Sequence, residues 1–204
     1  MNAQLSQPMA EVAANYLSGV EAIETVAASL SEAEWGQPAC GSWDATQTAR
    51  HLLGVIGWYH EWLARARAGD SSPPFPESDF DGRNEEALSA LDRLSGPEAV
   101  VAFAESARSY LDDASSDWSL PFGYPGGSVT VGQHVGIAAV EWHLHAWDLN
   151  TEHRPTNAES LFIGAGACVA AAKSGLAGRG LAIAVPLAAK RQPWQRLVKE
   201  SGRS

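Results

Sequence analysis

Cysteine is scarce in this 204-residue chain, with only Cys40 and Cys168. They form no CxxC pair, and two are too few for a disulfide framework. Cys168 reads as a small buried hydrophobe. Lysine is nearly as scarce, with three against eleven arginines, and alanine is abundant, a compositional trait of GC-rich genomes. Positive charge is in deficit, and the formal net charge of −10 argues against nucleic acid and anionic membranes as partners, because both repel an acidic surface. No run of about 18 consecutive apolar residues exists, so no membrane-spanning helix is expected. The opening MNAQLSQPMA has no basic patch followed by an apolar run, so no signal peptide is read and the cytoplasm is the expected compartment.

What the chain has in quantity is apolar residues, 45% against 19% charged, arranged at helical spacing. From about Glu11 to Leu30, Tyr16, Val20, Ile23, Ala27 and Leu30 repeat at steps of four and three, one stripe on a helix. A second helix starts at Asp44, whose carboxylate can accept from free backbone N–H groups while Gln47 reaches back. It runs to about Ala68 with an apolar face of Leu52, Leu53, Val55, Ile56, Tyr59, Trp62 and Leu63, and Gly69 ends it. Pro73, Pro74 and Pro76 make residues 70–82 a loop. A short helix is expected over Arg83–Leu94. Another runs from Pro97 to about Ala114, with Val100, Phe103, Ala107 and Leu111 facing inward. Trp118–Gly127 reads as an aromatic loop. Thr130 and Gln133 then repeat the capping pattern, and a helix follows to about Asn150. A further helix over Ala158–Ser174, an extended Leu181–Leu187 and a final helical turn or two over Trp194–Glu200 complete the chain. Four long amphipathic helices with marked starts predict an all-α four-helix bundle over residues 1–152, with a small α or α+β extension over 153–204 packed on it.

Chemistry concentrates in GIAAVEWHLHAWDL. Glu141 and His145 are four apart, and at about 3.6 residues per turn both leave one helix face. Alone, such a pair is equally an ordinary hydrogen-bonded pair on a solvated face. Apolar neighbours, Ile137, Ala138 and Leu144, make an unpaired carboxylate there expensive and a metal ion a natural partner. His51 lies seven residues after the Asp44 cap, on a stripe with Val55, Trp58 and Trp62, and a bundle can bring that face against Glu141 and His145. Two histidines and one glutamate are the ligand set of a catalytic zinc site with a fourth position left for water or substrate; nickel, iron(II) or manganese also suit it. His143 and His60 point away from that face. His134 shares it two turns off, about 10 Å along the axis, within reach of a substrate and beyond reach of the metal. Asp148, three residues after His145, is either an acceptor that orients a ligand histidine or a solvated charge near a helix end. IGAGACVA fails as a dinucleotide loop because Val169 stands where glycine is needed, and no GxSxG elbow exists.

Two segments, CGSWDATQTARHL and VEWHLHAWDL, together with the closing PWQRLVKESGR, resemble the DinB-like metal-binding proteins, and within them the mycothiol-dependent maleylpyruvate isomerase group. The resemblance covers most of the chain in the same order. It implies metal ligation by His51, Glu141 and His145, with zinc the usual ion, and use of a low-molecular-weight thiol, mycothiol. The implied chemistry is thiol addition to an electrophilic substrate, either isomerisation of a maleylpyruvate-like compound or S-transfer, with neither cysteine needed as nucleophile. A non-catalytic metal-binding or stress protein and a metal-dependent hydrolase are the competing readings. The group's characterised isomerase carries a larger C-terminal domain that lends the site an arginine; here only about 50 residues follow the bundle, and Arg179, Arg191 and Arg196 lie among them with none aligning to that role. Partners are then a small thiol and an electrophile, the chain acting as monomer or homodimer. Trp58 and His134 are the expected substrate contacts.

Overall fold

A computed structural model describes residues 9–125, 127–156 and 193–200. Four long helices form its body: α1 (Met9–Ser29), α2 (Ala45–Arg67), α4 (Gly96–Ser115) and α5 (Val131–Leu149), with a shorter α3 (Phe80–Ala90) between. α1 packs along α5 and α4, and α2 along α4 and α5, closing a ring of four. The expected all-α bundle is what the chain forms. Among the described residues no helix is long and apolar enough to cross a membrane.

Local chemistry sets the helix starts. Asp44 accepts from Gln47 N at 2.7 Å while Gln47 Oε1 accepts from Asp44 N at 3.0 Å. Thr130 and Gln133 make the same reciprocal pair. A third such pair, Ser95 with Glu98, stands ahead of Pro97 and places the start of α4 at Gly96. Each cap contributes about 1 kcal/mol. The inward stripes follow the sequence pattern: Tyr16, Val20 and Ile23 on α1, Leu52, Ile56, Tyr59 and Leu63 on α2, and Phe103 and Ala107 on α4 are all buried.

The ring of helices closes around Trp142 of α5, whose ring meets Phe103 of α4 at 4.9 Å, Tyr59 of α2 at 5.8 Å and Tyr16 of α1 at 5.9 Å between centroids. At about 25 cal/mol per Å2 over roughly 150–250 Å2, burying such a ring contributes on the order of 4–6 kcal/mol as an upper bound. Gly19 lets α1 approach it: a Cβ there would stand 2.7 Å from Trp142 Cβ. α5 itself is buried around nearly its whole circumference.

Two short hairpins precede helices, and the second falls largely in the expected aromatic loop Trp118–Gly127. β1 (Pro38–Cys40) pairs with β2 (Trp43–Asp44) before α2, and β3 (Pro121–Tyr124) pairs antiparallel with β4 (Gly127–Thr130) before α5. Their strands, two to four residues long, are too short to show a period of two, and Pro121 occupies the first strand position, where proline is tolerated. α3 begins at Phe80 rather than Arg83 and ends at Ala90 rather than Leu94; it buries no residue, so its ends carried no burial pattern. The final helix, Pro193–Glu200, rests Trp194 against His143 and His153. The expected helix over Ala158–Ser174, the Leu181–Leu187 segment, Cys168, Arg179, Arg191 and the side chain of Arg196 lie outside the described residues.

Candidate metal centre

The one-turn spacing puts Glu141 and His145 on the α5 face turned toward α2, and α2 supplies His51 and Tyr59. The His51 and His145 rings meet edge to face, 5.2 Å between centroids. Trp43, delivered by β2, leans on the other side of His51 at 4.7 Å. His145 is 9% exposed, while His51 and Glu141 are half-buried, so the site has an open side.

Each α5 donor is held from behind. Tyr59 Oη donates to Glu141 Oε2 at 2.5 Å. Burial and then the Glu141 charge push the Tyr59 phenol well above its ordinary range, so it stays protonated as a donor. Asp148 Oδ2 sits 2.9 Å from His145 Nδ1, and the Asp148 side chain is 1% exposed. Burial lowers His145, but hydrogen bonds to Asp148 and Cys40 outweigh it and raise the group to about 9. With Nδ1 turned to Asp148, Nε2 is the nitrogen an ion would take, the arrangement common among metal-bound histidines. Asp148 is thus a buried acceptor facing His145 and not a solvated charge.

Among the described residues, three donor atoms lie within 4.8 Å of one another in the set Cys40, His145 and Asp148. The expected triad shares only His145 with that set, which includes neither His51 nor Glu141. Cys40 carried no signal in the sequence, because it stands alone eleven residues before His51, on a hairpin too short to read.

The other histidines are engaged elsewhere. His143 Nε2 meets Ser18 Oγ at 3.1 Å and its Nδ1 meets His153 Nε2 at 3.0 Å, on the side of α5 packed against α1 and the last helix. His60 Nε2 donates to Ser106 O. His134 has no exposed surface: Tyr59 and Phe122 lie 4.2 and 4.3 Å from its ring, and Tyr110 Oη meets its Nδ1 at 3.0 Å. As placed, it props Tyr59 from below and offers no face to a substrate. Trp58 is half-buried, stacked on Trp62 with Phe75 and Phe80 at its edges, which makes it part of the packing between α2 and α3. Of the aromatics near the motifs, Trp142, Phe122 and Tyr124 are core, and Trp43 stands at the site.

The donor types fit a divalent cation: two imidazoles and a carboxylate, each α5 donor fixed by a buried partner.

Residues 17–150 match the family described as the mycothiol maleylpyruvate isomerase N-terminal domain. Two crystal structures of the mycothiol-dependent maleylpyruvate isomerase share the fold at a TM-score of 0.63, covering 83% of this chain and 72% of theirs. One is 18% identical, and the other, a histidine-to-alanine variant, is 16% identical. At such identities the likeness is one of fold. No curated protein sequence matches the chain significantly. With two thirds of its length within the family's bounds, the chain belongs to the mycothiol maleylpyruvate isomerase N-terminal domain family.

Proposed function

We propose that this protein is a metal-dependent enzyme that activates a low-molecular-weight thiol, mycothiol, for addition to an electrophilic substrate, as a maleylpyruvate-like isomerase or a thiol S-transferase. In this reading His51, Glu141 and His145 hold a divalent ion, zinc or another metal suited to two imidazoles and a carboxylate. Residues 1–152 form the metal-binding bundle, and 153–204 a short extension packed on it. The protein works in the cytoplasm as a monomer or homodimer, with no nucleic acid or membrane partner. The ion's contribution when bound is Lewis acidity, which lowers the pKa of a coordinating thiol toward neutrality.

The chain's own residues do the rest. Asp148 keeps the His145 ring in one orientation, and Tyr59 keeps the Glu141 carboxylate in place through its hydroxyl. Trp43 fixes the face of His51 and shields one flank of the site from water. The observation that carries the reading is the meeting of two imidazoles from separate helices, ring centres 5.2 Å apart, beside a carboxylate one helical turn away.

The test is metal content and thiol-dependent turnover. The purified chain is expected to carry one equivalent of metal, and His51→Ala or His145→Ala to lose it. Conjugation of mycothiol to an electrophile should proceed and stop with chelator. Turnover without thiol would favour a hydrolase, and tight metal binding with no turnover a non-catalytic metal-binding protein. Full metal occupancy in both histidine variants would remove the assignment.

A further inference from the structure

We propose that Cys40, His145 and Asp148 form an alternative position for a thiophilic divalent cation, on the side of His145 that faces Asp148. The position shares His145 with the metal reading above and none of its other donors, so it does not rest on that reading. Among the described residues these three make the group of Cys, His and carboxylate side chains whose ligand atoms all lie within 4.8 Å of one another. Asp148 Oδ2 is 2.9 Å from His145 Nδ1, and the Cys40 sulfur is hydrogen-bonded to His145. The Asp148 side chain is 1% exposed, while Cys40 is half-buried and in no disulfide, so the cluster is closed at its carboxylate and open at its sulfur.

Two elements bring the donors together. α5 carries His145 and Asp148 three residues apart, on neighbouring turns of one face. β1 carries Cys40 and packs on α5. Gly41, at φ 60, makes the turn directly after Cys40. Ala45 N donates to Gln37 O at 3.1 Å and Thr46 Oγ1 donates to Trp35 O, which fastens the base of the hairpin to the start of α2. The sulfur is therefore set against α5 by backbone that is itself tied down.

Thiolate, imidazole and carboxylate are three donors, the number of protein ligands in an open zinc site, with the fourth place left to water. The sulfur favours zinc or cobalt over magnesium or manganese. Binding releases the thiol proton to solvent and gives up the Asp148–His145 hydrogen bond. A neutral imidazole coordinated through Nδ1 keeps its proton on Nε2. Nε2 then cannot serve an ion beside His51 and Glu141, so the two positions exclude one another. A cation at the sulfur position pins the hairpin to α5 and withdraws His145 from the other site.

Cobalt(II) provides the test, because a thiolate ligand gives a near-ultraviolet sulfur-to-cobalt charge-transfer band that nitrogen and oxygen donors lack. His51→Ala disables the other position and leaves all three donors here; His51→Gln replaces it if circular dichroism shows the alanine chain to be misfolded. The full-length variant, washed with chelator and given cobalt chloride, should show the band. Adding Cys40→Ser should abolish it. Peptide mapping after iodoacetamide should find Cys40 protected in the cobalt form and alkylated once chelator is added. A band already present in the cobalt-loaded wild type would also support the position. Saturating cobalt with no band in the folded His51 variant would overturn the proposal and leave Cys40 as a hydrogen-bond partner of His145 alone. A band that persists with Cys40→Ser would overturn it in favour of another sulfur. The band reports sulfur only, so the metal reading above can hold or fail without deciding this one.

Discussion

Tyr59→Phe removes one oxygen from the centre of the protein and leaves the ring that touches His134 and Trp142 in place. What is lost is the hydroxyl that donates to Glu141 Oε2 at 2.5 Å. A hydrogen bond to a charged acceptor contributes about 1.5–3 kcal/mol. Glu141 is half-buried, so water replaces part of that donor and the lower end applies. Misplacing a ligand carboxylate by this amount weakens metal affinity about tenfold, since about 1.4 kcal/mol is a factor of ten. Competition against a chromogenic zinc chelator measures the affinity. Thermal unfolding of the metal-free protein measures the structural share, expected at a few degrees for a chain of this size. Identical zinc affinity in the two proteins would refute the argument that Tyr59 holds a metal ligand. A fall in melting temperature without a fall in affinity would assign the hydroxyl to the core alone.

Asp148→Asn keeps the shape but removes the charge facing His145 Nδ1, and zinc affinity should fall about 10- to 100-fold in the same chelator competition. Gly19→Ala places a methyl 2.7 Å from Trp142 Cβ, backbone-anchored on both sides; a loss of about 1–3 kcal/mol is expected in urea unfolding, and an unchanged midpoint would contradict the close approach of α1 and α5. His134 is pushed down to about 3 by burial. Its folded pKa lies below the unfolded value, so its neutral form favours folding above about pH 6.5, and that stability is lost as pH falls toward 3, at up to about 1.4 kcal/mol per pH unit. Urea midpoints between pH 6 and 4 should therefore drop more steeply for the wild type than for His134→Phe, and parallel profiles would rule out the histidine as the source.

The bundle was legible because its information is periodic. Stripes at steps of three and four on α1, α2 and α4 name their buried faces, and the Asp44–Gln47 and Thr130–Gln133 pairs mark where two helices start. The Ser95–Glu98 pair carried the same information and was obscured by Gly96 and Pro97 beside it. The two hairpins were opaque, since a strand of two to four residues rich in proline and glycine has no period to read. At the site, Glu141 and His145 were readable from one helical turn of spacing. Cys40 was not, because its nearness to His145 is a fact of tertiary structure across more than a hundred residues of chain. His134 was misjudged because a register along one helix says which face a ring takes and nothing of how deeply neighbouring elements cover it.

α5 is gripped on nearly every side, and that makes it a shaft with little freedom to turn or slide. One side of the shaft bears the pair that faces His51; another bears His143, on which Trp194 of the last helix leans. A shift of α5 along its axis would carry His145 and the seat of Trp194 together, since both ride on one helix.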